Sequence, residues 1–385
     1  MERVFSQKQN VRQKQGKRRE IDVDNKFLVT SSPHLFGNTT TRRIMLDVII
    51  ALIPAAIAGV CLFGFRVLLI YVSSVSASVI AEKVARIIMK KEDTIGDLSA
   101  VVTGLLLALN LPPSIEIWKA VIGAAFAIIV VKQLFGGIGH NFMNPALTAR
   151  VVLVTSWGGA MTTWTTPLSW TAASSLSSAS NAVASGAANA VASGTANAVA
   201  SGAANAASSV TDAISSATPM ALSKAAFLTG LVPAELPSYL DMFLGKIAGC
   251  IGETSALALL IGGVYLLARR VISWETPVAY IGAVAIASWI LGGNNGIMTG
   301  DPLFHVLGGG LLLGAIFMAT DYSTSPVTKV GKILMGLGCG ILTVVIRLYA
   351  GYPEGVSFSI LIMNVATPLI DRFTVPKSFG TTKSV

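Results

Sequence analysis

Apolar residues in this chain fall in long unbroken blocks rather than in short alternating runs. The blocks lie at roughly 44–64, 66–89, 98–111, 117–134, 147–165, 251–268, 276–292, 303–320, 330–349 and 356–371. A helix needs about 20 predominantly apolar residues to cross the hydrocarbon core of a bilayer. The pattern therefore predicts an all-α integral membrane protein of about ten transmembrane helices, several of them short. The third block ends at Asn110-Leu111-Pro112-Pro113 and is short enough for a half-helix. Broken helices survive at membrane depth only where protein or a cavity covers their free backbone groups. Five blocks precede a long polar stretch at 166–250 and five follow it. With an odd number in each half, a structural repeat would be inverted, as in many transporters. The two halves share no convincing sequence identity, so the inference is topological.

Charge sets the orientation. Lys83, Arg86, Lys90 and Lys91 follow the second block, Arg269 and Arg270 the sixth, Lys329 and Lys332 the eighth, Arg372 and Lys377 the tenth. Excess Lys and Arg mark cytoplasmic loops, so an N-terminus inside places all of these groups inside. The expected organisation is a basic cytoplasmic tail at 1–43, a first transmembrane half at 44–165, an extracytoplasmic loop at 166–250, a second transmembrane half at 251–371 and a cytoplasmic tail at 372–385. The N-terminal tail lacks the early apolar core of a cleavable signal. Composition agrees with a bilayer as solvent: 53% of residues are hydrophobic and 12% charged, against about 25% charged in a soluble domain. The net charge of +9 sits in the tail and between blocks, which makes lipid, not nucleic acid, the expected neighbour.

Cys61, Cys250 and Cys339 have no CxxC spacing, so this chain alone encodes no iron–sulfur or zinc site. Cys61 and Cys339 lie in apolar blocks and are expected to be packing residues. The histidines His34, His140 and His305 are too scattered for a metal site. Residues 181–204 repeat with period eight, NAVASGAA, NAVASGTA, NAVASGAA. Such Ala, Ser, Gly and Asn content buries little apolar area, and the segment reads as a flexible insertion.

After the repeat comes Thr211-Asp212-Ala213-Ile214-Ser215-Ser216-Ala217-Thr218-Pro219, a D-x-x-S-x-A-T-P pattern. A hydroxyl that another enzyme modifies needs small neighbours and an exposed, extended backbone. Ser215, Ser216 and Ala217 are small, and Pro219 biases Thr218 toward the extended region. By composition alone this is also an ordinary Ser/Thr loop. The stretch resembles the flavinylation motif of the membrane subunits of the Rnf complex and of the Na⁺-translocating NADH:quinone reductase. In that family an FMN transferase moves FMN from FAD onto the final threonine, here Thr218, within a motif whose other matching positions are Asp212, Ser215 and Ala217. The family's usual glycine before alanine is Ser216 here. Ser-Gly-Thr-Ala at 193–196 lacks the acid and the Ala-Thr-Pro ending, which leaves Thr195 a poor candidate.

The resemblance continues through Leu134-Phe135-Gly136-Gly137-Ile138-Gly139-His140-Asn141-Phe142-Met143-Asn144-Pro145-Ala146-Leu147-Thr148-Ala149-Arg150, through Gly252-Glu253-Thr254-Ser255, and through Met318-Ala319-Thr320-Asp321-Tyr322-Ser323-Thr324-Ser325-Pro326. It spans about 44–372 apart from the repeat. It is nearest the D-type subunits of the Rnf ferredoxin:NAD⁺ oxidoreductase, with the quinone-reductase B-type subunits as near neighbours. It implies a bacterial inner-membrane subunit that passes electrons through covalent FMN between ferredoxin and NAD⁺, inside a hetero-oligomer with iron–sulfur and flavin subunits. The transfer would drive Na⁺ or H⁺ outward. It also implies a non-covalent riboflavin near the cytoplasmic side. Asn141 and Asn144 would serve it, because an amide both donates to and accepts from an isoalloxazine edge. The plainer alternative is that both asparagines satisfy their own turn. Among the acids near block ends, Asp47, Glu253, Asp301 and Asp321, the motif positions Glu253 and Asp321 are candidates for an ion path; helix caps and interfacial charges are the plainer reading. A secondary transporter between inverted halves, or a cofactor-free anchor for redox partners, would explain the topology but not the D-x-x-S-x-A-T-P loop.

Overall fold

The computed structural model describes residues 40–168, 217–229, 236–293, 298–352 and 354–374. Residues 1–39 of the basic tail, the repeat at 181–204 with its Thr195, Asp212 and Ser215 lie outside the described residues. Every regular element among the described ones is helical. The first half comprises α1 (Thr41–Phe63), α2 (Arg66–Ile88), α3 (Ser99–Leu109), α4 (Ile117–Phe126, continued by a widened π-helical stretch Ala127–Gln133) and α5 (Pro145–Ser156). Between the halves are α6 (Pro219–Thr229) and α7 (Tyr239–Leu244). The second half comprises α8 (Ala256–Ala268), α9 (Glu275–Leu291), α10 (Pro302–Leu307), α11 (Leu311–Leu313, continued as a π-helical stretch Gly314–Met318), α12 (Lys329–Tyr349) and α13 (Val356–Thr374).

Among the described residues four helices, α1, α2, α12 and α13, are long and apolar enough to cross a membrane, and α3, α5, α8 and α9 are shorter apolar helices. The chain is thus an all-α membrane protein. Several predicted blocks are shorter as helices than as sequence. The block at 147–165 becomes α5 of 12 residues, which ends at Trp157. The block at 303–320 is split at Gly308-Gly309-Gly310, where Gly309 and Gly310 take φ of +67° and +66°, a conformation open to glycine at little cost. The third block is the short α3, as its Pro-Pro ending predicts.

Packing follows one scheme in both halves. The first elements, α1 and α8, pack on each other, and so do the last, α5 and α13. The second element of each half packs on later elements of that half: α2 on α3 and α4, α9 on α10 and α12. Contact between apolar helices in lipid is won by close approach of small residues rather than by expulsion of water. Gly336 and Gly340 of α12 supply it against α9: a Cβ at Gly336 would lie 2.7 Å from the Ala279 methyl and one at Gly340 against the Ala283 methyl. Large apolar side chains left exposed, such as Ile57, Val72, Val264, Ile286, Ile341 and Val365, form the surface that lipid covers; in water such a surface would be a liability. Cys339 is buried as expected, whereas Cys61 faces outward instead of packing.

Two ends are distinct. At one, Arg269 reaches the Asp47 carboxylate at 3.3 Å, Tyr265 donates to it at 3.0 Å, and Lys332 donates to Ser273. At the other, Arg66 donates to the carbonyls of Ser114 and Ile115, Leu168 donates to Leu62, and Tyr239 donates to Asp301.

Candidate functional site

The chemistry sits in two cavities, one toward each end, with α5 passing between them. The first, of about 470 Å³, is lined by Arg150, Thr218, Tyr352, Glu354, Ser357, Phe358 and their neighbours, including Ala217. Small-molecule sites typically run about 300–1,000 Å³, so this one has room for a ring system. Thr218 is only 3% exposed. The sequence suggests an exposed loop; the structure instead buries the residue and leaves its side chain on a cavity wall. The reason is local. Pro219 opens α6, and the Thr218 hydroxyl oxygen accepts from the Ala221 amide at 3.2 Å as a helix cap. Lys224 of α6 donates to the Ala350 carbonyl, and Phe227 meets Tyr349 edge-on at 6.0 Å, which docks α6 on the end of α12. A helix N-terminus favours an anion, so a phosphate carried on Thr218 would meet the positive end of α6. Across the cavity Tyr352 and Phe358 stack with centroids 5.3 Å apart, an aromatic wall suited to a planar ring.

The floor of this cavity is polar. Arg150 of α5 is buried and forms an ion pair with Glu354. It also donates to Asn110 Oδ1 at 3.2 Å, to Ser357 Oγ at 3.0 Å and to the Cys250 sulfur at 3.2 Å. Burial, and then the neighbouring Glu253, push the Glu354 carboxyl up to about 7. Glu253 is not the cap of α8, a role taken by Ser255; its Oε1 accepts from the Cys250 amide at 3.0 Å.

The second cavity, of about 230 Å³, lies toward the basic end and is lined by Asn141, Asn144, Lys132, Thr320, Asp321 and parts of α1, α3 and α8. The two asparagines differ. Asn144 Oδ1 caps α5 by accepting from the amides of Ala146 and Leu147, and its Nδ2 donates to the Met318 carbonyl at 3.4 Å. Its side chain is spent on structure. Asn141 Oδ1 is buried without a hydrogen-bond partner, and buried acceptors of that kind call for one. Asp321 accepts from Ser323 Oγ at 3.1 Å, and burial pushes its carboxyl upward. Of the remaining acids, Asp301 caps α10 through the Phe304 amide and Asp47 holds its ion pair with Arg269.

Some participants escape sequence reasoning. Lys132 is 1% exposed and holds both oxygens of Glu82, itself fully buried, at 2.9 and 3.0 Å; Gln133 and Thr94 also donate to Glu82. The π-helical stretch ending α4 brings the consecutive Lys132 and Gln133 to one carboxylate. Its signal was a charge inside each of two apolar blocks. Arg150 closes a recognised motif, yet its link to Glu354, 204 residues away, has no local sign, and Tyr352 and Phe358 have none either.

Comparison with known proteins bears on the whole chain. The model of the NQR2, RnfD, RnfE family matches residues 28–380. The chain is 45% identical over 358 residues to the D subunit of the Na⁺-translocating ferredoxin:NAD⁺ oxidoreductase complex of Acetobacterium woodii, covering 92% of this chain and 96% of that one. It is 42% identical to the D subunit of the proton-translocating ferredoxin:NAD⁺ oxidoreductase complex of Clostridium ljungdahlii, over 93% of this chain and 97% of the relative. It is 35% identical to the D subunit of the ion-translocating oxidoreductase complex of Escherichia coli, over 92% and 98%.

Proposed function

The chain belongs to the NQR2, RnfD, RnfE family, and from that premise we propose that it is a membrane subunit of an ion-translocating ferredoxin:NAD⁺ oxidoreductase complex. Similarity at full length to the D subunits of such complexes carries the reading. The chain acts with the other membrane, iron–sulfur and flavin subunits of the complex, in the inner membrane of a bacterium, with lipid around its apolar faces. Its basic end faces the cytoplasm, by the positive-inside rule, and the Thr218 cavity faces outward.

Thr218 carries FMN through a phosphoester that an FMN transferase installs. The fit is supported by the cavity at the Thr218 side chain, the N-terminus of α6 for the phosphate, and the Tyr352 and Phe358 rings. FMN held there supplies exchange of one or two electrons. Arg150 places a fixed positive charge in the cavity wall, which favours whichever flavin form carries more negative charge. Asp212 and Ser215 belong to the sequence that the transferase reads. Attachment on the outer side would set the flavin across the bilayer from the cytoplasmic redox partners, which would give ion transport a step to couple to.

A non-covalent riboflavin would meet the chain at the inner cavity, whose roughly 230 Å³ would hold part of the ring system rather than all of it. Asn141 supports this assignment through its unpartnered buried oxygen, which suits a ring N–H; Asn144 contributes by fixing the start of α5. Glu253, by the outer cavity, and Asp321, in the inner one, are the acids that an ion path would use.

The test is in-gel flavin fluorescence after denaturing electrophoresis of the chain expressed with an FMN transferase. Wild type gives a fluorescent band and Thr218→Ala gives none. A band that persists in the variant moves the attachment elsewhere. No band in either, beside a labelled control substrate, removes covalent FMN from the reading and favours a transporter or a cofactor-free anchor.

A further inference from the structure

At the floor of the outer cavity lies a cluster of acids to which the flavin reading gives no role in holding the ring or the phosphate. One carboxylate oxygen of Glu253, one of Glu354 and the Cys250 sulfur lie within 4.8 Å of one another. Glu253 is 6% exposed, and its Oε2 has no hydrogen-bond partner; Glu354 Oε1 is equally without one. These are two carboxylates side by side, close enough for a proton or a cation held by one to be shared with the other. The donors nearby are committed. Arg150 is divided among Glu354, Asn110, Ser357 and Cys250. Arg347, the other buried guanidinium close by, donates to the carbonyls of His305, Gly308 and Gly309 at 2.6–3.0 Å, not to either carboxylate. Arg150 pairs with Glu354 alone, which leaves Glu253 beside it without an ion-pair partner of its own.

We propose that Glu253 and Glu354 form a binding site for one monovalent cation, Na⁺ or H⁺, entered from the outer cavity through Glu354. Glu354 lines the cavity and Glu253 lies behind it, so the pair connects the outer solution to the region where α3 ends at Asn110 and the Gly308–Gly310 break begins. The two guanidiniums offset much of the carboxylate charge, which keeps the hold on the cation loose. A transport site needs that, because an ion bound tightly does not leave. The site also extends the ion path beyond Glu253, adding Glu354 as the outer ligand and Arg150 as the counter-charge. On the reading of the cavity as a flavin seat, the cation sits beside the group whose charge changes on reduction.

The experiment is perfusion infrared difference spectroscopy on the purified complex in lipid. One arm exchanges Na⁺ for choline at constant pH, and the other steps the pH at constant Na⁺. A carboxylate shift in the first arm identifies an alkali-cation site; a protonated-carboxyl band in the second arm alone identifies a proton site; silence in both overturns the proposal. The bands must disappear in Glu354→Gln, and bands unchanged in a folded Glu354→Gln complex equally overturn it. The charge-balanced variant Arg150→Gln/Glu354→Gln stands in if the single one does not assemble, with the same loss expected. The Thr218→Ala complex separates this inference from the flavin reading. It lacks the covalent flavin and should keep the bands, so failure of flavin attachment leaves the cation result intact.

Discussion

Replacing Lys132 by methionine isolates the buried ion pair that the tertiary structure builds beside the inner cavity. Lys132 Nζ holds both oxygens of Glu82 at 2.9 and 3.0 Å, with side-chain exposures of 2% and 0%. Methionine keeps most of the stem volume and removes the charge. Breaking a buried pair from one side costs about 3–5 kcal/mol, because the remaining charge has no counter-charge and no water. At roughly 1.2 °C per kcal/mol for a chain of this size, the midpoint of thermal unfolding falls by on the order of 4–6 °C. A thiol-reactive dye reads it: Cys250 and Cys339 are buried and react on unfolding, while exposed Cys61 sets a constant baseline. The double variant Glu82→Gln/Lys132→Met removes both charges and keeps a side-chain oxygen for Gln133 and Thr94, which donate to Glu82 at 2.8 and 2.9 Å. Its cost should be within about 1 kcal/mol of wild type, since neutral replacement of a buried pair is often free. A Lys132→Met midpoint within about 2 °C of wild type, or a double variant as unstable as the single one, would refute the view of this pair as desolvated and mutually dependent.

Two further outcomes follow from the same geometry. Asn144→Ala loses a helix cap, worth about 1 kcal/mol, and lowers the unfolding midpoint, whereas Asn141→Ala leaves the midpoint in place and lowers the non-covalent flavin recovered in an acid extract; the reverse pattern would exchange their roles. Glu354 gives a pH dependence. Its carboxyl is raised from the ordinary 4.5 to about 7 when folded, so between those values the folded chain keeps a proton that the unfolded chain has lost. Stability from this group is full below the unfolded value and is lost as pH rises through about 7. The unfolding midpoint of wild type therefore falls between about pH 5 and 8, and the fall flattens in Glu354→Gln; an equal slope in both would remove Glu354 as the source.

What was legible in the chain alone is what local chemistry controls. Unbroken apolar blocks set the helices, because a bilayer-spanning backbone is satisfied in helices or closed barrels and barrel strands alternate apolar with polar positions. Pro112-Pro113 ended α3, and Asn144-Pro145 started α5 with its own cap. Thr218 was marked by a resemblance of Asp212, Ser215, Ala217 and Thr218 to a flavinylation motif, since local chemistry alone made this an ordinary Ser/Thr loop. Folding settled everything that depends on side chains meeting across the chain. It buried Thr218 at the start of α6 where a surface loop was expected, and it split the 303–320 block at glycines whose positive φ no hydropathy profile reports. It also brought Lys132 to Glu82 across 50 residues and Arg150 to Glu354 across 204. Hydropathy records which residues leave water but not which of them touch. A buried charge is tolerated only where its partner arrives, and the packing of the two halves, absent from any local pattern, brings that partner.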